Sequence, residues 1–207
     1  MRLWKLRVGV FVLEEVKKMG ESNQENTVKL IQQKRSWMLS YLFKMKGHKR
    51  TTPLVSPAPL DIILTWLGAF LGITAITLFA HQYALPVVAS FGASAVLIYG
   101  VPDAPLSQPR NVIFGHTFSA VAGVAIFMTF GLTWWSPALG TALALVAMLL
   151  TKTTHPPGGA TALFAVLSKA HPSYILTPIM VGAVILVVVG LLVNNLSPNR
   201  HYPRYWY

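Results

Sequence analysis

Of the 207 residues, 54% are hydrophobic and only 11% are charged, against roughly 25% charged in an average soluble domain. The net charge of +11 is carried by one end of the chain: residues 1–50 hold twelve of the seventeen Lys and Arg and four of the six acids. A basic stretch directly before apolar spans is a topology signal that stays cytoplasmic, so the charge points to a membrane and away from nucleic acid. Cysteine is absent, which excludes a disulfide framework and thiolate metal sites.

In chain order, residues 1–52 read as a basic cytoplasmic tail with amphipathic helices, the first around Leu3 to Leu13 and the second over Thr27 to Lys46. Pro53, Pro57 and Pro59 then stiffen the chain and permit a helix to begin near Leu60. The transmembrane domain is expected over residues 53–198. Its first span is Leu60 to Ala80, with Gly68 and Gly72 on one face. A second segment, His81 to Val101, is interrupted by Pro86 and Gly92, and a polar loop from Pro102 to Pro109 carries Asp103. The third span, Val112 to Leu132, sets Gly115, Ser119 and Gly123 at four-residue spacing, a close-packing face. Trp134 and Trp135 mark an interface before the fourth span, Ala138 to Leu150. The run Thr151 to Gly159 breaks the apolar pattern, and Ala160 to Leu167 is too short to cross a bilayer alone. The last span is Tyr174 to Val193, and residues 199–207 form a short C-terminal tail.

Gly92-Ala93-Ser94-Ala95-Val96 recurs sixty-seven residues later as Gly159-Ala160-Thr161-Ala162-Leu163, each copy in an interrupted segment flanked by longer spans. The expected fold is therefore an all-α polytopic transmembrane bundle of two inverted three-segment repeats with broken central helices, over residues 60–132 and 136–196. Six crossings put Arg110, Lys152, Arg200 and Arg204 on the cytoplasmic side and only Lys169 outside. Each broken segment would enter as extended chain and turn helical near Gly92 or Gly158. Free amides at two such helix starts, meeting near the midplane, suit a small anion, and no acid lies near either break.

The run Thr154-His155-Pro156-Pro157-Gly158-Gly159-Ala160-Thr161-Ala162-Leu163 resembles the signature of the HPP family of integral membrane proteins. Ser90 to Leu97, Pro102 to Asn111, Trp66 to Gly72 and Lys44 to Gly47 resemble it as well, so the likeness covers about Tyr41 to Leu196. The resemblance implies a membrane protein with four predicted helices, fewer than the six segments counted above. It also implies nitrite transport, the activity associated with photosynthetic members.

Gly92, Gly158 and Gly159 are the candidates for backbone contacts to an anion, and Ser94 and Thr161 for hydroxyl donors one step into each helix. His155 and His116 offer imidazoles that donate or carry a proton. Arg110, whose guanidinium suits a planar oxyanion, completes the expected substrate site. No cofactor, metal or nucleophile motif is present, and the expected function is a transporter or channel for a small inorganic anion, nitrite foremost, and not an enzyme. Its expected partners are the lipid bilayer and the anion, with a homo-oligomer through the glycine faces as one arrangement. The expected location is a bacterial inner membrane, or a plastid envelope, with a cytoplasmic N-terminus. Competing readings are a structural or regulatory subunit docking through Gly68 and Gly115, and an intramembrane enzyme using His155 and Asp103.

Overall fold

The computed structural model describes residues 56–206 together with Leu39, and the amphipathic helices and the Lys44 to Gly47 segment expected in the basic tail lie outside the described residues. Over residues 56–206 six helical segments follow one another: α1 (Pro59–Gln82), α2 (Ser90–Ala95, prolonged by a π-helical turn over Val96–Gly100), α3 (Pro109–Phe130), α4 (Ser136–Leu150), α5 (Pro157–Leu167) and α6 (Val181–Asn194, preceded by a π-helical stretch over Ile175–Met180). A 3-10 turn, Pro105–Ser107, leads into α3, and there is no strand among the described residues.

Proline sets most of these starts. α1, α3, α4 and α5 each carry a proline in the first two helical positions, where its fixed φ suits the helix and its missing N–H costs nothing. Gly131 closes α3 with φ of 67°, a conformation that a side chain would oppose, and its N–H bonds the Phe127 carbonyl. The stretch before α6 kinks at Thr177, whose backbone is extended, beside Pro178.

α1, α3 and the combined Ile175–Asn194 helix contain 24, 22 and 20 residues and are long and apolar enough to cross a membrane. α2, α4 and α5 are shorter apolar helices. The two interrupted segments enter as irregular chain and become helical at Ser90 and Pro157, close to where the breaks were expected. α1 is mostly exposed and apolar, with Ile62, Ile63, Trp66, Phe70 and Leu78 all facing outward, a surface far larger than water tolerates. The chain is an integral membrane protein.

Hydrogen bonds between distant residues gather one end of the bundle. Asn194 Nδ2 donates to the Ile98 carbonyl at 3.0 Å, Arg200 donates to the Tyr99 carbonyl at 2.9 Å and to the Asp61 carbonyl at 2.7 Å, and the Tyr202 hydroxyl donates to the Ser107 carbonyl at 2.9 Å. Arg110 donates to the Thr151 carbonyl at 3.1 Å and Asn111 to the Thr154 carbonyl at 2.9 Å. The starts of α1, α3 and α5 thus lie together with the ends of α2, α4 and α6, and the six segments alternate in direction. Arg110, Lys152, Arg200 and Arg204 belong to this end, whereas Lys169 follows the far end of α5.

Small residues set the packing. Gly68 and Gly72 of α1 receive the Tyr99 ring, whose hydroxyl donates to the Leu186 carbonyl at 3.0 Å. Gly115, Ser119 and Gly123 of α3 receive the chain before α5 and α5 itself. Both glycine faces considered for docking another protein are thus covered by residues of the same chain. A Cβ at Gly123 would lie 2.5 Å from the Ala162 carbonyl oxygen and 2.7 Å from Ala165 Cβ, whereas one at Gly92 would meet nothing within 4 Å. Gly123→Ala is therefore expected to lower stability by about 1–3 kcal/mol through overpacking, while Gly92→Ala leaves it level or raises it by up to about 1 kcal/mol. Thermal melts of the detergent-solubilised protein compare the two.

Candidate functional site

Where α2 and α5 cross α3, six polar groups meet in an interior otherwise built of apolar side chains. Ser90 and Ser94 lie one turn apart on the buried face of α2, with Phe91 between them. His116 projects from the middle of α3 and is fully buried, with its ring centroid 5.3 Å from that of Phe91. His155 precedes α5 and Thr161 sits in its second turn, both also fully buried. Gly115 explains how His155 arrives: a Cβ there would fall 2.6 Å from His155 Cβ and 2.8 Å from the Thr153 carbonyl oxygen. Only a residue without a side chain lets the 153–155 stretch lie against α3 and bring the second imidazole to the first. The two ring centroids are 4.9 Å apart, edge to face.

The Ser94 hydroxyl bridges the imidazoles, at 2.7 Å from His116 Nε2 and 2.8 Å from His155 Nε2. His116 Nδ1 is 2.7 Å from Thr161 Oγ1, which is 2.8 Å from Ser90 Oγ. His155 Nδ1 is 2.8 Å from the Leu106 carbonyl oxygen, in the turn before α3. The hydroxyls of the two related motifs, Ser94 and Thr161, therefore hold the two nitrogens of one ring. No buried side-chain nitrogen or oxygen among the described residues lacks a hydrogen-bond partner.

Four of the expected site residues converge here: Ser94, His116, His155 and Thr161. The other four lie elsewhere. Gly92 is on the exposed face of α2, and Gly158 packs on α3, where a Cβ would meet Ser119 Oγ at 2.6 Å. Gly159 is half-buried near Thr141, and Arg110 caps the carbonyl end of α4 through Thr151. Ser90 and the Leu106 carbonyl were not foreseen. Ser90 was legible as the residue four before Ser94, on the same helical face, whereas a backbone carbonyl leaves no mark in the sequence.

Both acids of the described residues are engaged away from the cluster. Asp61, 8% exposed, lies 3.3 Å from Arg200 Nε and accepts from the Ser197 hydroxyl at 2.6 Å. Asp103 is exposed and accepts from Arg204 Nε at 2.7 Å, a hydrogen bond and charge pair that raise the guanidinium above its ordinary value. It is not a partner of Arg110 or His155.

A family model for the transmembrane region of HPP proteins matches residues 55–203. The chain belongs to the HPP family. Two Dictyostelium discoideum proteins, both named only as transmembrane proteins, are 38% and 37% identical to this HPP protein over 184 and 187 residues. Each alignment covers 83% of this chain, which spans 65% and 58% of the relatives' lengths. No solved structure matches it.

Removing the bridging hydroxyl orphans a nitrogen on each ring. Ser94→Ala is expected to cost about 1–3 kcal/mol, the usual penalty of an unsatisfied buried polar group. Combined with His155→Leu, which removes one of the orphaned rings, the double variant is expected to lose clearly less than the sum of the two single losses. Melts of the four proteins in one detergent supply the cycle; additive losses would mean that the groups are not coupled.

Proposed function

We propose that this HPP protein is a membrane transporter for a small anion and that its substrate passes the His116–Ser94–His155 cluster. The observation that carries the reading is the sign of the only charge the cluster is able to acquire. Serine and threonine hydroxyls do not ionise, an imidazole becomes positive, and the two carboxylates of the described residues are held away from the cluster by Arg200 and Arg204. An isolated buried cation costs several kcal/mol, so its natural companion is an anion brought in from outside. Intramembrane imidazoles that face a protein interior are also the usual markers of a transport path.

Nitrite is the leading substrate through family resemblance alone. The anchoring of the chain with the Arg110, Lys152, Arg200 and Arg204 end in the cytoplasm follows from the positive-inside rule. The proposed path runs between α2, α3 and α5, where the two short helices break the continuity of the bundle.

Purified protein in liposomes, given nitrite, nitrate, formate or chloride gradients, tests the reading. At least one anion is expected to enter faster than in protein-free vesicles, and His116→Ala and His155→Ala are expected to slow it tenfold or more while still eluting as folded protein. Flux of none of the four, or flux indifferent to both substitutions, would sink it.

A further inference from the structure

The five short hydrogen bonds of the cluster share a single direction, and that direction follows from one backbone atom. A carbonyl oxygen only accepts, so the proton between His155 Nδ1 and Leu106 belongs to the imidazole. A neutral His155 then has a bare Nε2, which must accept from the Ser94 hydroxyl 2.8 Å away. Ser94 has only one proton, so the 2.7 Å contact to His116 is made by the Nε2 proton of His116. The Nδ1 of a neutral His116 is in turn an acceptor for Thr161, whose oxygen accepts from Ser90. The alternative acceptors of the two motif hydroxyls, the Ser90 carbonyl at 3.1 Å for Ser94 and the Pro157 carbonyl at 3.5 Å for Thr161, are both longer. Using them would require a doubly protonated imidazole or leave one unsatisfied.

We propose that Ser90, Thr161, His116, Ser94 and His155 form a directional proton relay, and that the proton is the ion co-transported with the substrate anion. The relay deepens the transporter reading and rests on it only for the coupling to anion flux. Ser90 is the only one of the five residues with any exposed surface, 3% against 0% for the others, so the entering proton is taken up at its hydroxyl. Ser90 passes its own proton to Thr161, Thr161 passes its own to His116 Nδ1, His116 gives up the Nε2 proton to Ser94, and Ser94 protonates His155 at Nε2. His155, then protonated on both nitrogens, gives up its Nδ1 proton once the turn bearing Leu106 parts and water takes the place of that carbonyl. Each residue gains one proton and loses one, so one proton enters and one leaves.

The passage inverts both tautomers. His155 is left with a bare Nδ1 against the Leu106 carbonyl, two acceptors face to face, and the contact between the stretch before α5 and the turn before α3 no longer holds. That turn is held from its other side at Ser107, which donates to the Leu97 carbonyl and accepts from the Tyr202 hydroxyl, and at Gln108, which accepts from the Arg204 N–H, so Leu106 is the point at which it parts from His155. The groups facing the relay from the packed elements are Phe91 of α2 and the Tyr174 hydroxyl, which is 3.4 Å from the Thr161 carbonyl. Neither is acidic, so a proton in transit is neutralised by the anion rather than by the protein.

The test has two arms on the full chain in lipid. Nitrogen-15 NMR of the labelled histidine rings in nanodiscs at neutral pH, assigned by single His→Gln variants, is expected to show His155 protonated at Nδ1 and His116 at Nε2. The same tautomer at both rings, or the reverse pair, overturns the relay whether or not any anion moves. In liposomes containing a pH-sensitive dye, an imposed nitrite gradient is expected to drive protons inward with about one proton per anion. Thr161→Val, which keeps the shape and removes the hydroxyl, is expected to lower proton flux at least tenfold, and Thr161→Ser to recover it. Anion flux without proton movement overturns the relay and spares the transporter reading; the expected tautomers in a protein that moves no anion overturn the transporter reading and spare the relay.

Discussion

A hydroxyl group has one proton to give and two lone pairs, and in this protein the one on Ser94 is shared between two buried imidazoles. The arrangement of the bundle around it follows from that limit. Nothing inside the bilayer replaces water as a partner, so every polar group at this depth must find one in the chain. Ser94 satisfies both rings, Thr161 the remaining nitrogen of His116, and the Leu106 carbonyl that of His155. α2, α3, α5 and the turn before α3 are thereby tied at one point, and each needs a partner element to be in place before its own polar residue is tolerated.

Glycine makes that convergence geometrically attainable. Helices of ordinary composition keep their axes some 8–10 Å apart, too far for short side chains such as Ser94 and Thr161 to reach a common ring. Along α3 the sequence Gly115, Ser119, Gly123 removes the intervening side chains, so α5 and its lead-in lie almost against the backbone. The closeness of the imidazoles is thus a property of a residue, Gly115, that contributes no hydrogen bond to the cluster.

Much of the architecture is legible in the residues. The proline-marked helix starts, the three long spans and the two interrupted segments follow from local rules, because proline and hydrophobic length act where they stand. The related motifs around Ser94 and Thr161, with His116 and His155, pointed to four of the six groups of the cluster. What escaped depends on pairings across the chain. Asp61 meets Arg200 after 139 residues, the Tyr99 ring fills the groove of Gly68 and Gly72, and Arg110 turns to a carbonyl at the end of α4. A stripe of small residues announces that something comes close without saying whether it is a ring of the same chain or another helix. A lone arginine announces a need for acceptors, which a frayed helix end meets as well as an anion does.

The link between Asp61 and Arg200 has a bearing on how the chain is made. The aspartate stands in the first turn of the first span, and its partner is synthesised only after the last span has been completed. At roughly 5–20 residues per second, the carboxylate waits on the order of 7 to 28 seconds at the edge of the lipid, held in the meantime by whatever the insertion machinery or headgroup water provides. The segments α2 to α6 must be laid down around an unmatched charge, and the strap that follows α6 seals the assembly only when its arginine emerges from the ribosome.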